Sequence, residues 1–211
     1  MDLEKYQGSS PRVFVQRGML RFKEGRVGES ISDFDKAISL DSNQAGYLWQ
    51  RGLSLYYADR FQDASEQFQR DVALNPRDTE EAVWDLVSRA RAGGLSKAQE
   101  QVIEIKGESR PYMKIVYEVY AGKRPLKDLK EMTAKAEAFL SKPGNRNRDQ
   151  AAQVEFYGNL YLGLLAEAAG TMEEAKTYLT KAATSQYKET GDYMWYLSKV
   201  HCSLRGWDCE S

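Results

Sequence analysis

Residues 11–42 read PRVFVQRGMLRFKEGRVGESISDFDKAISLDS and residues 45–76 read AGYLWQRGLSLYYADRFQDASEQFQRDVALNP, two copies of one pattern set 34 residues apart. Gln16-Arg17-Gly18 recurs as Gln50-Arg51-Gly52, Phe34 as Phe68 and Leu40 as Leu74. Ser30 is answered by Ala64, Phe14 by Leu48 and Ser42 by Pro76. Self-similarity at this period marks a helix–turn–helix repeat. One hairpin of two helices cannot bury its own apolar face, so copies stack into a solenoid. Gly18 and Gly52 fall mid-helix, where glycine costs about 1 kcal/mol against alanine. That cost is offset where the missing side chain lets a second helix approach. Ser30, Ala64 and Ala37 are small for the same reason, while Phe34 and Phe68 fill the space between hairpins. Pro76 stops the second helix of its copy.

The pattern resembles the tetratricopeptide (TPR) family. Numbered from Pro11, the first copy places Gly18 eighth, Ser30 twentieth, Phe34 twenty-fourth and Ala37 twenty-seventh, with Ser42 at the proline position. Numbered from Ala45, the second gives Gly52, Ala64, Phe68, Asp71 and Pro76. Asp71 departs from the small residue usual there. Gly25 fits the turn between the helices, and Asp59 does not.

The spacing predicts hairpins at 11–24 with 27–40 and at 45–58 with 61–74. A weaker copy numbered from Thr79 carries Leu86, Gly93, Ala98 and Val102, with a second helix expected over 95–105. Pro111 and Pro125 open a fourth, irregular pair; the first helix carries Met113, Val116, Tyr117 and Tyr120, and the second Leu126, Leu129, Met132, Ala136, Phe139 and Leu140. Residues 142–148 read as a loop. A clear copy numbered from Phe156 places Gly163, Gly170, Ala175, Leu179 and Ala182. A last helix over 190–204, with Tyr193, Trp195, Tyr196, Leu197 and Val200, caps the array. The expectation is all-α: a TPR-like right-handed α-solenoid of antiparallel helix hairpins, about ten or eleven helices in all. A single domain spans 11–204, with clear repeats at 11–44, 45–78 and 156–189 and degenerate ones over 79–148. A flexible lead (1–10) and tail (205–211) flank it.

The layout further resembles NlpI-type lipoproteins and related plant and algal TPR proteins. The cues are Arg51-Gly52-Leu53-Ser54-Leu55-Tyr56-Tyr57, the tail Asn75-Pro76-Arg77-Asp78 and the Trp84 repeat. Glu118-Val119-Tyr120-Ala121-Gly122, Phe156-Tyr157-Gly158 and Leu162-Gly163 complete them. The resemblance implies a non-enzymatic adaptor that dimerises and presents partners to proteases. Their lipid-attachment cysteine has no counterpart here, so membrane anchoring is not implied.

Hydrophobic residues make up 42% and charged residues 29%, as in a soluble globular protein, and a net charge of −1 gives no overall pull toward nucleic acid. No apolar run approaches the roughly 18 residues of a membrane helix. Localisation reads as soluble, cytoplasmic or organellar, with a chloroplast suggested by the resemblance and any leader already removed. No phosphate-cradling glycine loop is present. The only histidine, His201, stands beside Cys202. That pair falls short of the roughly four ligands of a zinc set. No metal, cofactor or catalytic set is expected. Cys202 and Cys209 are read as separate thiols, one half-buried and one on a loose tail; a turn at Gly206 would be needed to join them.

In a TPR array the first helix of each hairpin lines the concave groove. The candidate partner-binding residues are therefore Met19, Phe22, Trp49, Leu53, Tyr56, Tyr57, Val83 and Val87. Glu80, Arg91, Tyr157, Leu160, Leu164 and Glu167 fall on the same face. The alternative is that a neighbouring helix fills this groove as core. A chaperone carboxylate clamp needs lysine and asparagine here; Val15, Met19, Trp49 and Leu53 stand there instead, which excludes it. Arg17 and Arg51 occupy a position usually given to leucine. Arg51 is expected to pair with Asp71, or with Asp33 or Asp35.

Residues 29–85 hold twelve acids and five bases (−7), and residues 106–148 eleven bases and five acids (+6). Solvated helix faces explain this, as does head-to-tail self-association. The leading function is a non-catalytic adaptor or scaffold that binds a partner peptide or helix in the aromatic groove, with a homodimer as the alternative use of that face. An RNA-binding repeat using residues 106–148 and a helical-repeat enzyme are the competing readings.

Overall fold

A computed structural model describes residues 10–144 and 146–209, and the side chain of Glu189 is not among them. The described residues form eleven α-helices and no strand. The first two hairpins are α1 (Pro11–Lys23) with α2 (Val27–Leu40), and α3 (Trp49–Tyr57) with α4 (Phe61–Leu74). Then come α5 (Thr79–Gly93), α6 (Leu95–Gln99), α7 (Pro111–Tyr120) and α8 (Leu126–Leu140). The chain ends in α9 (Arg148–Ala168), α10 (Met172–Thr184) and α11 (Tyr193–Leu204). Short 3-10 turns at Ser42–Gly46 and Gln186–Thr190 precede α3 and α11. The lead over 1–9 lies outside the described residues.

The glycines set the packing. A Cβ on Gly18 would stand 2.9 Å from the Phe34 ring, one on Gly52 2.7 Å from Phe68, and one on Gly163 2.5 Å from Leu179. Real side chains do not tolerate such contacts, so only glycine lets the two helices of each hairpin close. Gly158 does the same against Thr133, joining α8 to α9. The turn position holds a positive φ in both early hairpins, +75° at Gly25 and +56° at Asp59. Asp59 therefore does fit the turn, because aspartate tolerates the left-handed region better than most residues. Gly52→Leu is expected to destabilise the fold by about 1–3 kcal/mol through overpacking. Urea unfolding with an unchanged midpoint would refute this register.

Several boundaries differ from the sequence reading: α3 starts at Trp49 rather than at 45 and α11 at Tyr193 rather than at 190, each behind its 3-10 turn. The helix expected over 95–105 stops at Gln99. The β-branched Val102, Ile103 and Ile105 follow, and Gly107 takes φ +87°. This stretch runs instead beneath Tyr117, whose hydroxyl donates to Ile103 O at 2.9 Å and accepts from Ile105 N at 3.2 Å. α9 begins at Arg148, eight residues before Phe156, and is buried along most of its last three turns. The tail is not loose. Cys202 and Cys209 form a disulfide with Cα atoms 6.1 Å apart, and both residues are buried. Trp207 N donates to Cys202 O at 2.9 Å, making the tight turn at Gly206 that brings the sulfurs together.

Arg51 does not reach Asp71. Its Nε donates to Asp35 Oδ1 at 2.7 Å and its Nη1 to Gln67 Oε1 at 3.1 Å, while Gln67 Nε2 donates to Asp71 Oδ1 at 2.9 Å. Gln67 occupies the position of Asp33 one repeat earlier, where Arg17 donates through Nε and Nη2 at 2.9 and 2.5 Å. The same polar rung therefore recurs with the period of the repeat, an acid in one copy and an amide in the next.

The helices pack in chain order, and the array also closes on itself. α11 lies against α1, and α5 lies against both α7 and α9. Phe22 of α1 stacks on Tyr193 of α11 with ring centres 5.5 Å apart. Lys23 Nζ sits 4.0 Å above the Tyr196 ring. The core is thus the inner face of the solenoid.

Candidate functional site

The residues read as lining the groove are mostly turned into the core, and the groove is not open. Phe22, Leu53, Tyr56, Tyr57, Val83 and Val87 are buried in the core; only Met19 and Trp49 keep part of their surface. This corrects the expectation of an exposed aromatic groove. The physical reason is closure. Superhelical curvature brings α9 and α11 onto the faces of α1, α3 and α5, so the aromatic rings meet one another instead of a partner. Trp49 meets Tyr193 edge-on at 5.3 Å, Tyr56 meets Trp84 at 5.3 Å, and Tyr57 meets the His201 ring at 5.5 Å.

The polar residues on these faces converge too. Glu167, 5% exposed, takes an ion pair from Arg91 at 2.6 Å and another from Arg205 Nε at 2.7 Å. Tyr56 donates its hydroxyl to Glu167 Oε2 at 3.3 Å, and His201 Nε2 stands 3.8 Å from Oε1. Tyr57 OH and His201 Nδ1 share a hydrogen bond of 2.9 Å. Burial pushes the Glu167 carboxyl up, and His201, Arg91 and Arg205 more than offset it, so it stays below its ordinary range. Burial drives the His201 imidazole down to about 4, against the raising effect of Glu167. The set has acid, base and cation within reach of one another, but the carboxylate and imidazole are closed to solvent. Its chemistry is that of a buried clasp tying α3, α5, α9 and α11 together. Among the described residues no group of three or more His, Cys, Asp or Glu is placed to hold a metal ion. No helix among them is long and apolar enough to cross a membrane.

One part of the inner face stays open. A cleft of about 260 Å³ lies where the N-terminal ends of α3, α5 and α11 meet. Its walls are Trp49, Phe68, Trp84, Tyr157 and Met194, and its polar lining is Asp78, Glu80, Glu81, Asp192 and Arg110. Two of these acids are helix caps. Asp78 accepts from the backbone of Glu80 and Glu81 at 3.0 and 3.3 Å, opening α5. Asp192 accepts from Met194 N at 2.9 Å, opening α11, and also from Tyr157 and Tyr187 hydroxyls at 3.1 and 2.7 Å. Glu80 pairs with Arg110, which also reaches Glu108 at 2.9 Å. Glu81 is different: it is buried, and among the described residues its Oε2 has no partner, nor has the buried indole Nε1 of Trp84. Burial, then the charges of Asp78, Asp71 and Glu80, push the Glu81 carboxyl up to about 8.

Residues 11–44, the span of the first hairpin, match the tetratricopeptide repeat family model. Over that span the chain is similar to a tetratricopeptide repeat. Over 151 residues it is also 22% identical to Hsp70-Hsp90 organizing protein 2 of Arabidopsis thaliana. That alignment takes in 69% of this chain and 26% of the plant protein, so the chain spans about a quarter of its relative's length. Within this helical array, Trp49, Glu80 and Tyr157 are the groove-face residues read from the sequence that also line the cleft. Glu81, Arg110 and Asp192 were missed as cleft residues. Glu81 lies off the face given to α5, Arg110 sits in the irregular link before α7, and Asp192 precedes α11. Asp78, a cap three residues ahead of Glu81, was the sequence signal that could have marked this end of α5.

Proposed function

We propose that the chain is a non-catalytic, protein-binding TPR adaptor, and that a partner segment enters the cleft framed by Trp49, Trp84, Tyr157 and Met194. The observation that carries this reading is the cleft itself. It is the stretch of inner face that α9 and α11 leave uncovered, and it holds a half-buried tryptophan beside buried polar atoms without partners. Half-exposed tryptophan beside a pocket is a frequent anchor in protein recognition. The plant relative is named as an organizer of Hsp70 and Hsp90, which supports an adaptor role in kind. Its partners do not transfer, because a cleft lined by four acids disfavours a terminal carboxylate. The RNA reading loses support, since Arg110, Lys123, Arg124 and Lys130 of the basic region are paired with acids of this chain. The enzyme reading loses it with the closure of the His201–Glu167 set.

The test compares proteins captured by the wild-type chain and by Trp49→Ser. Loss of a defined set from the variant, at a comparable melting temperature, supports the cleft. Recovery of the same set by both would show that partners bind elsewhere. A symmetric dimer is the second reading. Tyr47 is 67% exposed, and Leu74, which lies against Gly46 of the same turn, is 56% exposed. Light scattering on Tyr47→Ser separates the two: a fall in mass with partners retained favours the dimer.

A further inference from the structure

We propose that the cleft receives a basic side chain, lysine or arginine, from the partner segment, with Glu81 as its counter-charge and the Trp84 indole donating to the adjoining peptide carbonyl. This rests on the reading that the cleft is where a partner segment enters.

Among the described residues, every charged group facing the cleft but one has a partner in the fold. Asp78 and Asp192 are spent as helix caps, and Glu80 is held by Arg110. Arg110 is in turn divided between Glu80 and Glu108. Glu81 is left 9% exposed with one oxygen unbonded. Behind it on α4 lies Asp71, also buried, with its Oδ2 unpartnered. Leaving a buried polar group unpaired costs stability, and a charge costs more. A residue that costs stability without a structural partner is suited to a partner from outside the chain. The second unpaired atom fixes the chemistry further. Trp84, 2% exposed, has a free N–H, which a bare cation cannot satisfy. A basic residue within a peptide brings both halves, a cationic head and a backbone carbonyl.

The walls suit such an occupant. Trp49, Phe68, Trp84 and Tyr157 offer aromatic surface to an aliphatic stem and ring faces to its charge. At about 260 Å³ the cleft holds a single long side chain; it falls just below the roughly 300–1,000 Å³ of drug-sized ligand sites. An anion is the opposite possibility, since helix N-termini attract negative charge. Here the first N–H groups of α5 and α11 are already taken by Asp78 and Asp192, and Arg110 is already paired.

The test follows the tryptophan indole N–H signals of the full chain by NMR. The probes are acetylated pentapeptide amides, Gly-Gly-X-Gly-Gly, with X as lysine, arginine, norleucine or glutamate. The Trp84 signal is assigned with Trp84→Phe. Lysine and arginine peptides are expected to shift it saturably, and norleucine and glutamate peptides to do so at least tenfold more weakly. Affinity for the lysine peptide should rise with pH toward 8 as Glu81 loses its proton, because lysine itself stays charged there. Glu81→Gln should abolish that pH dependence and weaken binding at least tenfold. It should also raise the melting temperature at pH 9, where the wild-type carboxylate is charged and unpaired. Equal shifts from lysine and norleucine, indifferent to Glu81→Gln, would overturn the cationic occupant while leaving the cleft as a docking site. A stronger response to the glutamate peptide would overturn it in favour of an anion. No response to any probe overturns it as well; if Trp49→Ser still loses its partners in the capture experiment, the docking reading survives alone, and if it does not, both fail.

Discussion

Glu167→Ala is expected to lower the unfolding free energy by about 3–5 kcal/mol, the cost of removing one partner from a buried ion-pair set. Arg91 and Arg205 would both lose the carboxylate they face at 2.6 and 2.7 Å, and the Tyr56 hydroxyl would lose its acceptor. Neither arginine has room to swing fully into water, being about one-fifth exposed. Because the clasp ties α3 and α5 to α9 and α11, the loss should appear as one cooperative unfolding transition moved to lower urea. A change below about 1 kcal/mol would mean that the arginines find water easily, as at surface pairs.

Tyr56→Ala should have an effect of the same order, about 3–5 kcal/mol, as for other large-to-small aromatic changes in cores. Tyr56 is fully buried and meets Tyr57, Phe61 and Trp84 edge-on at 5.2–5.3 Å. An open groove would give the opposite result: truncation of a surface aromatic leaves stability within about 0.5 kcal/mol and removes only binding. Urea titration of the purified variant decides between them.

The repeats were legible because their cause is local. Gly18 with Phe34 and Gly52 with Phe68 lie within one hairpin each, so the spacing alone carries the close contact. The inner face was legible for the same reason: Val83, Val87, Arg91, Leu160, Leu164 and Glu167 all point where the repeat register puts them. What covers that face was not. Tyr56 meets Glu167 across 111 residues and Tyr57 meets His201 across 144, and no period in the chain encodes such pairings. They follow from the superhelical curvature of the whole array, to which the irregular link over 100–110 and the long α9 contribute. The disulfide was missed because its two cysteines meet only through the turn at Gly206 and the burial of the tail. Of the three acids open to Arg51 the sequence did not single out Asp35, which it meets; Gln67, an ordinary residue by composition, stands between it and Asp71.

Closure by α11 also makes stability depend on pH in a definite direction. His201 is neutral in the fold down to about pH 4 but titrates near 6.5 when the chain is unfolded. Its contribution is therefore fully present above about pH 6.5 and is lost as pH falls toward 4, where the unfolded state binds the extra proton. Since His201 is the only histidine, one NMR titration of its imidazole carbons reads the closed inner face without ambiguity. With α11 seated between Tyr57 and Glu167, no titration occurs between pH 5.5 and 7.5 and the midpoint lies near 4. A midpoint near 6.5, that of a solvated imidazole, would show that α11 does not close the groove.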